Sequence, residues 1–453
     1  MNLIVAAIIL SIVLHCSSCK KDLLDKLAYN SAEWEDRPEG IMCWPEPKNT
    51  TLENGELSFN ANHMHCIMIQ MHPDHFKRMR NESRFGPSIQ LREGDAAKAA
   101  AYEYLNECDV AFPSYYNWYK ADLIIDEVYL PKVGLRKKGF LGSIFSSAPS
   151  LKIKIDKYEQ GQFVGDGGSS YITLNNNSED PSRIIQCLMY KVFEWANYPA
   201  PRCNLANVSI NDEALGVYSH IEAIDRHFLQ RNFGNNSGDL YEGQLTDFKV
   251  NWLLRWEPKN SSTDKNKRQL HKIARIIEGT RTKDLFYELN KYINVRKFIR
   301  FWALEVLLGH MDGYTRNSNN VYIYFDPNDN DRATFIPWGM NYFDPEESDE
   351  EVDIREYVTA ELPRRLSRTS VAAALFKQEM ESLLEHVWNE NKLLNLIDHF
   401  KLQVESGQED PYYSYSVHEL KKWVRDRREM IEDVCEEGLP RGTHIPNEVC
   451  HFE

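Results

Sequence analysis

Asp312 is the side chain in this sequence best placed to orient or deprotonate a hydroxyl, because it ends an apolar stretch reading LLGHMD and opens onto the amide-rich TRNSNNVYIYF. A turn and a second strand-like segment, ATFIPWGMNYFD, bring further oxygen donors back toward it. An aspartate among side-chain oxygens suits phosphoryl transfer: the carboxylate positions the acceptor hydroxyl while neighbouring oxygens hold a divalent metal. The competing reading is a plain polar turn. DPNDNDRA, residues 326–333, illustrates it, since Asp and Asn there can satisfy turn amides and bind nothing.

Phosphate chemistry also needs cations. KVGLRKKGFLGSIFSS sets Gly134, Gly139 and Gly142 beside Arg136, Lys137 and Lys138, and SLKIKID then carries Lys152 and Lys154 on one strand face. A glycine hairpin followed by a strand lysine suits the covering of nucleotide phosphates, although the pattern is not a strict GxGxxG. Solvent-facing lysines that guard a sheet edge are the bland alternative. Downstream, NVSINDEALGVYSHIEAIDRHFLQRNF reads as a hairpin turning at Asn211 and Asp212, then a strand passing into a helix that carries Glu222 and Asp225. Glu222 is the candidate partner for the phosphate-contacting lysine; a surface salt bridge, contributing roughly 0.2–1 kcal/mol, is the alternative.

These residues must be positioned by larger elements, and 453 residues allow more than one compact unit. Residues 20–115 read as an added N-terminal region with strand candidates at GELSFNA and HCIMIQM. A glycine-rich, strand-dominated unit covers 116–242, and a mostly helical one covers 243–453. In the latter, LFKQEMESLLEHVWNENKLLNLIDHFKLQV and VHELKKWVRDRREMIEDV read as two amphipathic helices.

The segments VGLRKKGFLGS, PSLKIKIDKY, YITLNNNSEDPSRI, YPAPRCNLANVSINDEALGVYSHIEAID, FGNNSGDLYEG, MDGYTRNSNNVYIYF and FIPWGMNYF, in that order over roughly 120–345, resemble the CotH kinase family, the spore-coat-protein-H-like secretory protein kinases. The resemblance implies an α+β, atypical bilobal protein-kinase-like fold with an additional N-terminal region. It also implies ATP as phosphate donor with Mg²⁺ or Mn²⁺, and a secreted, coat or cell-surface protein as acceptor. Carried onto this sequence, it makes Asp312 the catalytic aspartate and Lys152 the nucleotide lysine, with Glu222 as its acidic partner. Arg136, Lys154 and Trp338 join the nucleotide side, and Asn317, Asn320, Asn341 and Asp344 the metal side.

One position departs from the family pattern. The IPW motif ordinarily closes on an acidic metal ligand, whereas IPWGMN places Asn341 there. An amide offers a neutral carbonyl oxygen in place of a full negative charge, so metal affinity falls unless Asp344, Glu346 or Glu347 compensates. Two functions are therefore carried forward: an ATP-dependent Ser/Thr kinase, and a weak or inactive pseudokinase serving as a surface adhesin or scaffold.

The first nineteen residues, with an apolar core followed by HCSSC, read as a secretory signal peptide cleaved near Ser18 or Cys19 and too short for a persuasive transmembrane helix, with a short membrane anchor or a lipid-bearing Cys19 as the alternatives. Cleavage after Ser18 leaves eight cysteines, an even set that fits disulfides of unspecified pairing in an oxidising compartment; Cys187, in RIIQCLMYKVFEWA, also fits a simple buried thiol. Sequons at Asn49, Asn81, Asn176, Asn207, Asn235 and Asn260 fit a secreted glycoprotein. HMHC at 63–66 and HPDH at 72–75 come nearest to a zinc motif without supplying about four ligands. A net charge of −15, sharpest in DPEESDEEVD, argues against a nucleic-acid binder.

Overall fold

The computed structural model describes residues 52–53, 56–84, 114–126, 128–139, 146–164, 168–260, 263–343, 357–405 and 411–437. The signal segment, Gly142, Asp344, the acidic run at 344–353 and cysteines 19, 43, 108 and 450 lie outside them.

A short ribbon, β1 (Leu52–Glu53) with β2 (Glu56–Leu57), precedes a closed barrel. The barrel strands are β3 (His65–Met71), β4 (Tyr119–Ile125), β5 (Val128–Lys137), β6 (Leu151–Lys154), β7 (Tyr171–Asn175), β8 (Cys203–Ile210) and β9 (Glu213–Ile221), in the order β3-β4-β5-β6-β7-β9-β8. Ile67, Ile69, Leu123, Ile125, Leu151, Ile153, Ile172 and Leu174 alternate inward and fill it. β3 closes the barrel by pairing parallel to β8, so HCIMIQM is integral to the barrel; of GELSFNA only Glu56–Leu57 is extended. Helix α1 (Pro73–Arg80) follows β3.

Gly134 lies within β5 rather than in a flexible hairpin. A Cβ there would sit 2.6 Å from Lys157 Cβ, so glycine serves close packing.

Helix α2 (Ile185–Trp195) packs on β8 and is tied to it by the Cys187–Cys203 disulfide, which resolves the role left open for Cys187. The β8–β9 hairpin turns at Asn211, φ 54°, as its sequence indicates. Glu222 and Asp225 precede helix α3 (Arg226–Phe233) instead of riding on it, because the Asp225 carboxylate caps the helix by accepting from His227 N.

A second, antiparallel sheet has the order β11-β10-β12-β13, from β10 (Leu240–Gly243), β11 (Trp256–Pro258), β12 (Val321–Asp326) and β13 (Arg332–Pro337). Around it run α4 (Arg268–Gly279), α5 (Thr282–Leu289), α6 (Val295–Leu307), the single turn α7 (Tyr314–Asn317) and α8 (Glu361–Leu366). The large core runs from α2 through α6 and β12–β13 into the C-terminal helices.

The tail forms three helices, α9 (Ser370–His386), α10 (Glu390–Glu405) and α11 (Pro411–Glu437), where two were expected. Asn389 divides the first, its side chain accepting from Lys392 N at 2.9 Å as an N-cap.

Candidate active site

Two polar clusters border the second sheet. The first is cationic. Cross-strand pairing of β5 with β6 puts Arg136 opposite Lys152, and Lys138 lies two residues on from Arg136. Lys137 points the other way and is consumed by the carbonyls of Arg80 and Glu82 at 2.8 and 3.0 Å. Lys152 and Lys154 share the face expected of them, with ammonium groups 4.7 and 5.4 Å from the Tyr171 ring centroid. Lys259, just after β11, contacts Glu242 of β10 and Glu257.

Four cations, Arg136, Lys138, Lys152 and Lys259, thus stand around two carboxylates, Glu242 and Glu257. Burial, then repulsion from Lys259 and Arg136, pushes the Lys152 amine down to about 8. Burial and Lys152 push Lys138 down to about 7. Burial opposes ionisation of Glu242, yet the Lys259 ammonium, with Lys152 and the Tyr322 hydroxyl, holds it at about 2. Trp338 packs edge-on against Tyr322, ring centroids 5.5 Å apart, and so borders this cluster.

The acidic neighbour of Lys152 is Glu242, and the expectation for Glu222 is corrected. Glu222 is claimed by Arg202 at 2.9 Å and by Arg231, and it lines a depression with Phe59, Tyr171, His220 and Asp225. Its two carboxylate oxygens are thus paired with guanidiniums.

The second cluster surrounds Asp312. Asn317 Nδ2 donates to its Oδ1 at 2.6 Å, Asn320 Nδ2 to its Oδ2 at 2.6 Å, and Asn319 Nδ2 to both oxygens at 3.0 and 3.1 Å. These donations orient the carboxylate and commit the amide nitrogens of Asn317 and Asn320. Asn341 donates to Glu179 Oε2 at 3.1 Å. Burial first, and the Asp312 charge second, raise the Glu179 carboxyl above its usual range, which places Glu179 within electrostatic reach of Asp312. Asp344 lies outside the described residues.

The loop carrying Asp312 is clamped from beneath. Glu305, fully buried on α6, accepts from Tyr314 N at 3.0 Å, Thr315 N at 2.8 Å, Thr315 Oγ1 at 2.6 Å and His310 Nδ1 at 3.2 Å. Asp247 accepts from Tyr314 Oη at 2.9 Å and Glu361 N at 2.7 Å, tying the same turn to α8.

Glu179, Glu242, Lys259 and Glu305 were not singled out from the sequence. Glu305 left a signal there, a lone carboxylate inside FWALEVLL.

The CotH kinase protein profile matches residues 135–434, from inside β5 into α11 and about two thirds of the chain. The chain belongs to the CotH kinase family. Among curated relatives, Invasin CotH2 of Rhizopus delemar is 22% identical over 204 residues, covering 40% of this chain and 34% of that protein. Inner spore coat protein H of Bacillus subtilis is 24% identical over 182 residues, 38% of this chain and 49% of that protein. Spore coat protein homolog 1 of Rhizopus delemar is 21% identical over 190 residues, 39% of this chain and 30% of that protein. The chain therefore spans a third to a half of the length of these relatives. Family membership agrees with the α+β architecture and with the order of motifs leading to Asp312 and IPWGMN. Among the described residues, no helix is long and apolar enough to cross a membrane.

Proposed function

We propose that this CotH-family chain is a secreted, atypical protein kinase that transfers the γ-phosphate of ATP to a Ser or Thr hydroxyl of an extracellular or coat protein. The carrying observation is the surplus of cations, Arg136, Lys138, Lys152 and Lys259, around Glu242 and Glu257, where burial first and the neighbouring cations second push the Lys138 and Lys152 amines down; a polyphosphate would supply the negative charge this cluster is short of. In this reading the barrel and the second sheet are the two walls of a bilobal nucleotide cleft. Lys152, Arg136, Lys138 and Lys259 hold the phosphates, and Trp338 borders them.

A hard divalent cation fits the donor set on the Asp312 side, which is all oxygen: the carboxylates of Asp312 and Glu179 and the side-chain carbonyls of Asn317, Asn320 and Asn341. Bound there, Mg²⁺ or Mn²⁺ would offset phosphate charge. Asp312 orients the acceptor hydroxyl and takes its proton as the new O–P bond forms and the bond from the γ-phosphorus to the bridging oxygen breaks. The Cys187–Cys203 disulfide supports maturation in an oxidising, secretory compartment.

Asn341 favours a second reading, a nucleotide-binding pseudokinase that works as a surface scaffold, and fungal relatives bearing the name invasin fit it. Labelled ATP decides between them. Phosphate incorporation with Mg²⁺ or Mn²⁺ that disappears in Asp312→Ala supports the kinase, whereas ATP binding without incorporation supports the scaffold.

A further inference from the structure

A second set of ligating side chains lies at the start of β3, on elements that carry neither polar cluster described above. His63 and His65, two residues apart in the HMHC segment, meet Asp126 from the tight turn between β4 and β5, where its backbone is left-handed at φ 51°. Asp126 Oδ2 lies 2.9 Å from His63 Nε2 and 2.8 Å from His65 Nδ1, and the ligand atoms of the three residues all fall within 4.8 Å of one another.

The contacts behind these atoms resemble the outer shell of a metal centre. His65 gives its other ring nitrogen, Nε2, to the Ser58 carbonyl at 2.8 Å, and Asp126 receives the Cys66 N–H on its other oxygen, Oδ1, at 2.8 Å. With Nε2 committed to the Ser58 carbonyl, His65 presents Nδ1 to a carboxylate oxygen, and both side chains are wholly shielded from solvent. A cation seated between imidazole and carboxylate would take both as ligands. Opening the contacts by about half an ångström seats an ion at the ~2.0–2.1 Å bond lengths zinc makes to imidazole and carboxylate.

We propose that His63, His65 and Asp126 form a binding site for a borderline divalent transition ion of the zinc class, with a structural role in pinning the β4–β5 turn to β3. Two imidazoles and one carboxylate suit Zn²⁺ or Co²⁺ better than Mg²⁺, whose preference is for oxygen alone. His63 is the more exposed of the two histidines.

The test uses the full secreted chain carrying no polyhistidine tag and purified without chelator. Elemental analysis is expected to return about one zinc per chain, and Co²⁺ added to the stripped protein to give visible d–d absorption. His63→Gln, chosen because that ring is the more exposed and the less disruptive to fold, loses the stoichiometric ion and the Co²⁺ bands while still unfolding cooperatively. Asp312→Ala retains both, which separates this site from phosphotransfer. Stripping the parent lowers its melting temperature, and Zn²⁺ at a hundredfold excess over its Kd restores it through a roughly hundredfold shift in the folding constant. A parent that binds neither Zn²⁺ nor Co²⁺, or a His63→Gln variant that binds as the parent does, overturns the proposal; the first outcome leaves a plain imidazolium–carboxylate pair.

Discussion

Asn341 hands its side-chain amide to Glu179, so a carboxylate stands beside the position where the family motif puts its own. Glu179 comes from the loop after β7, far away in sequence, and it lies within electrostatic reach of Asp312. If it supplies the charge that Asn341 does not, Glu179→Gln weakens Mn²⁺ binding to the nucleotide-loaded protein about 10- to 100-fold. Adding Asn341→Asp to that variant recovers most of the loss. Paramagnetic titration of Mn²⁺ reads this directly; equal affinity in parent and Glu179→Gln would remove Glu179 from the metal side.

Gly339 permits the Asp312 cage to close. Its φ is 59°, and a Cβ built on it would lie 2.4 Å from Asn320 Oδ1. Gly339→Ala therefore meets a left-handed backbone penalty of about 1–2 kcal/mol and pushes aside an amide that holds Asp312. Turnover is expected to drop by at least tenfold while ATP affinity changes little, because the lysine cluster is untouched. Single-turnover kinetics beside equilibrium nucleotide binding separates the two quantities.

Lysine protonation gives the site a pH signature with two opposite signs. Lys138 and Lys152 titrate at about 7 and about 8 in the folded chain, below the ordinary lysine value of 10.5. Held protonated below those values, they destabilise the fold. As pH rises from about 7 toward 10.5 the unfolded chain binds more protons than the folded one, so their contribution to stability increases with pH. ATP affinity moves the other way, falling as the amines lose charge. Binding near pH 8 should draw in on the order of one proton, visible as a calorimetric heat that tracks buffer ionisation enthalpy; a buffer-independent heat contradicts the assignment.

How much of this was legible in the sequence depended on whether the signal was local. Local strand-like runs bounded by turn residues placed β3, the β8–β9 hairpin and the β12–β13 hairpin, and DPNDNDRA proved to be the plain turn it resembled, with Asp326 Oδ1 accepting from Asn328 N at 2.9 Å. The divide at Asn389 was hidden because apolar spacing continues through Val387 and Trp388 across a capped break. Pairings across the site were not local at all. Glu222 and Glu242 are both strand-terminal acids, and only the fold decides that one meets Arg202 and Arg231 while the other meets Lys259 and Lys152. Glu179 sits in NNNSEDPS, a composition that reads only as a turn.

Reduction of Cys187–Cys203 tests how α2 is anchored. The bridge closes a loop with a sequence separation of 16 and joins α2 to β8. Chain-entropy arguments assign such a loop about 3 kcal/mol. Cys187→Ala with Cys203→Ala should lose that much in denaturant unfolding, with little change in cooperativity. An undiminished midpoint would mean the apolar face of α2 suffices.

Glu305 connects the core to the chemistry. Its carboxylate gathers Tyr314 N, Thr315 N, the Thr315 hydroxyl and His310 at the base of the loop that ends in the Asp312 amide cage, and it has no exposure to solvent. Glu305→Ala strands those donors, at roughly 1–3 kcal/mol for each left unsatisfied, and is expected to compromise folding outright. Glu305→Gln is the informative variant: it keeps the shape and one acceptor oxygen but turns an NH₂ group toward backbone N–H donors. Folding should survive with a lowered denaturant midpoint, and turnover should fall more steeply than ATP affinity, because Asp312 shifts while Lys152 and Arg136 stay where β5 and β6 put them. Equal losses in turnover and affinity would instead mean that Glu305 supports the whole cleft rather than the Asp312 loop.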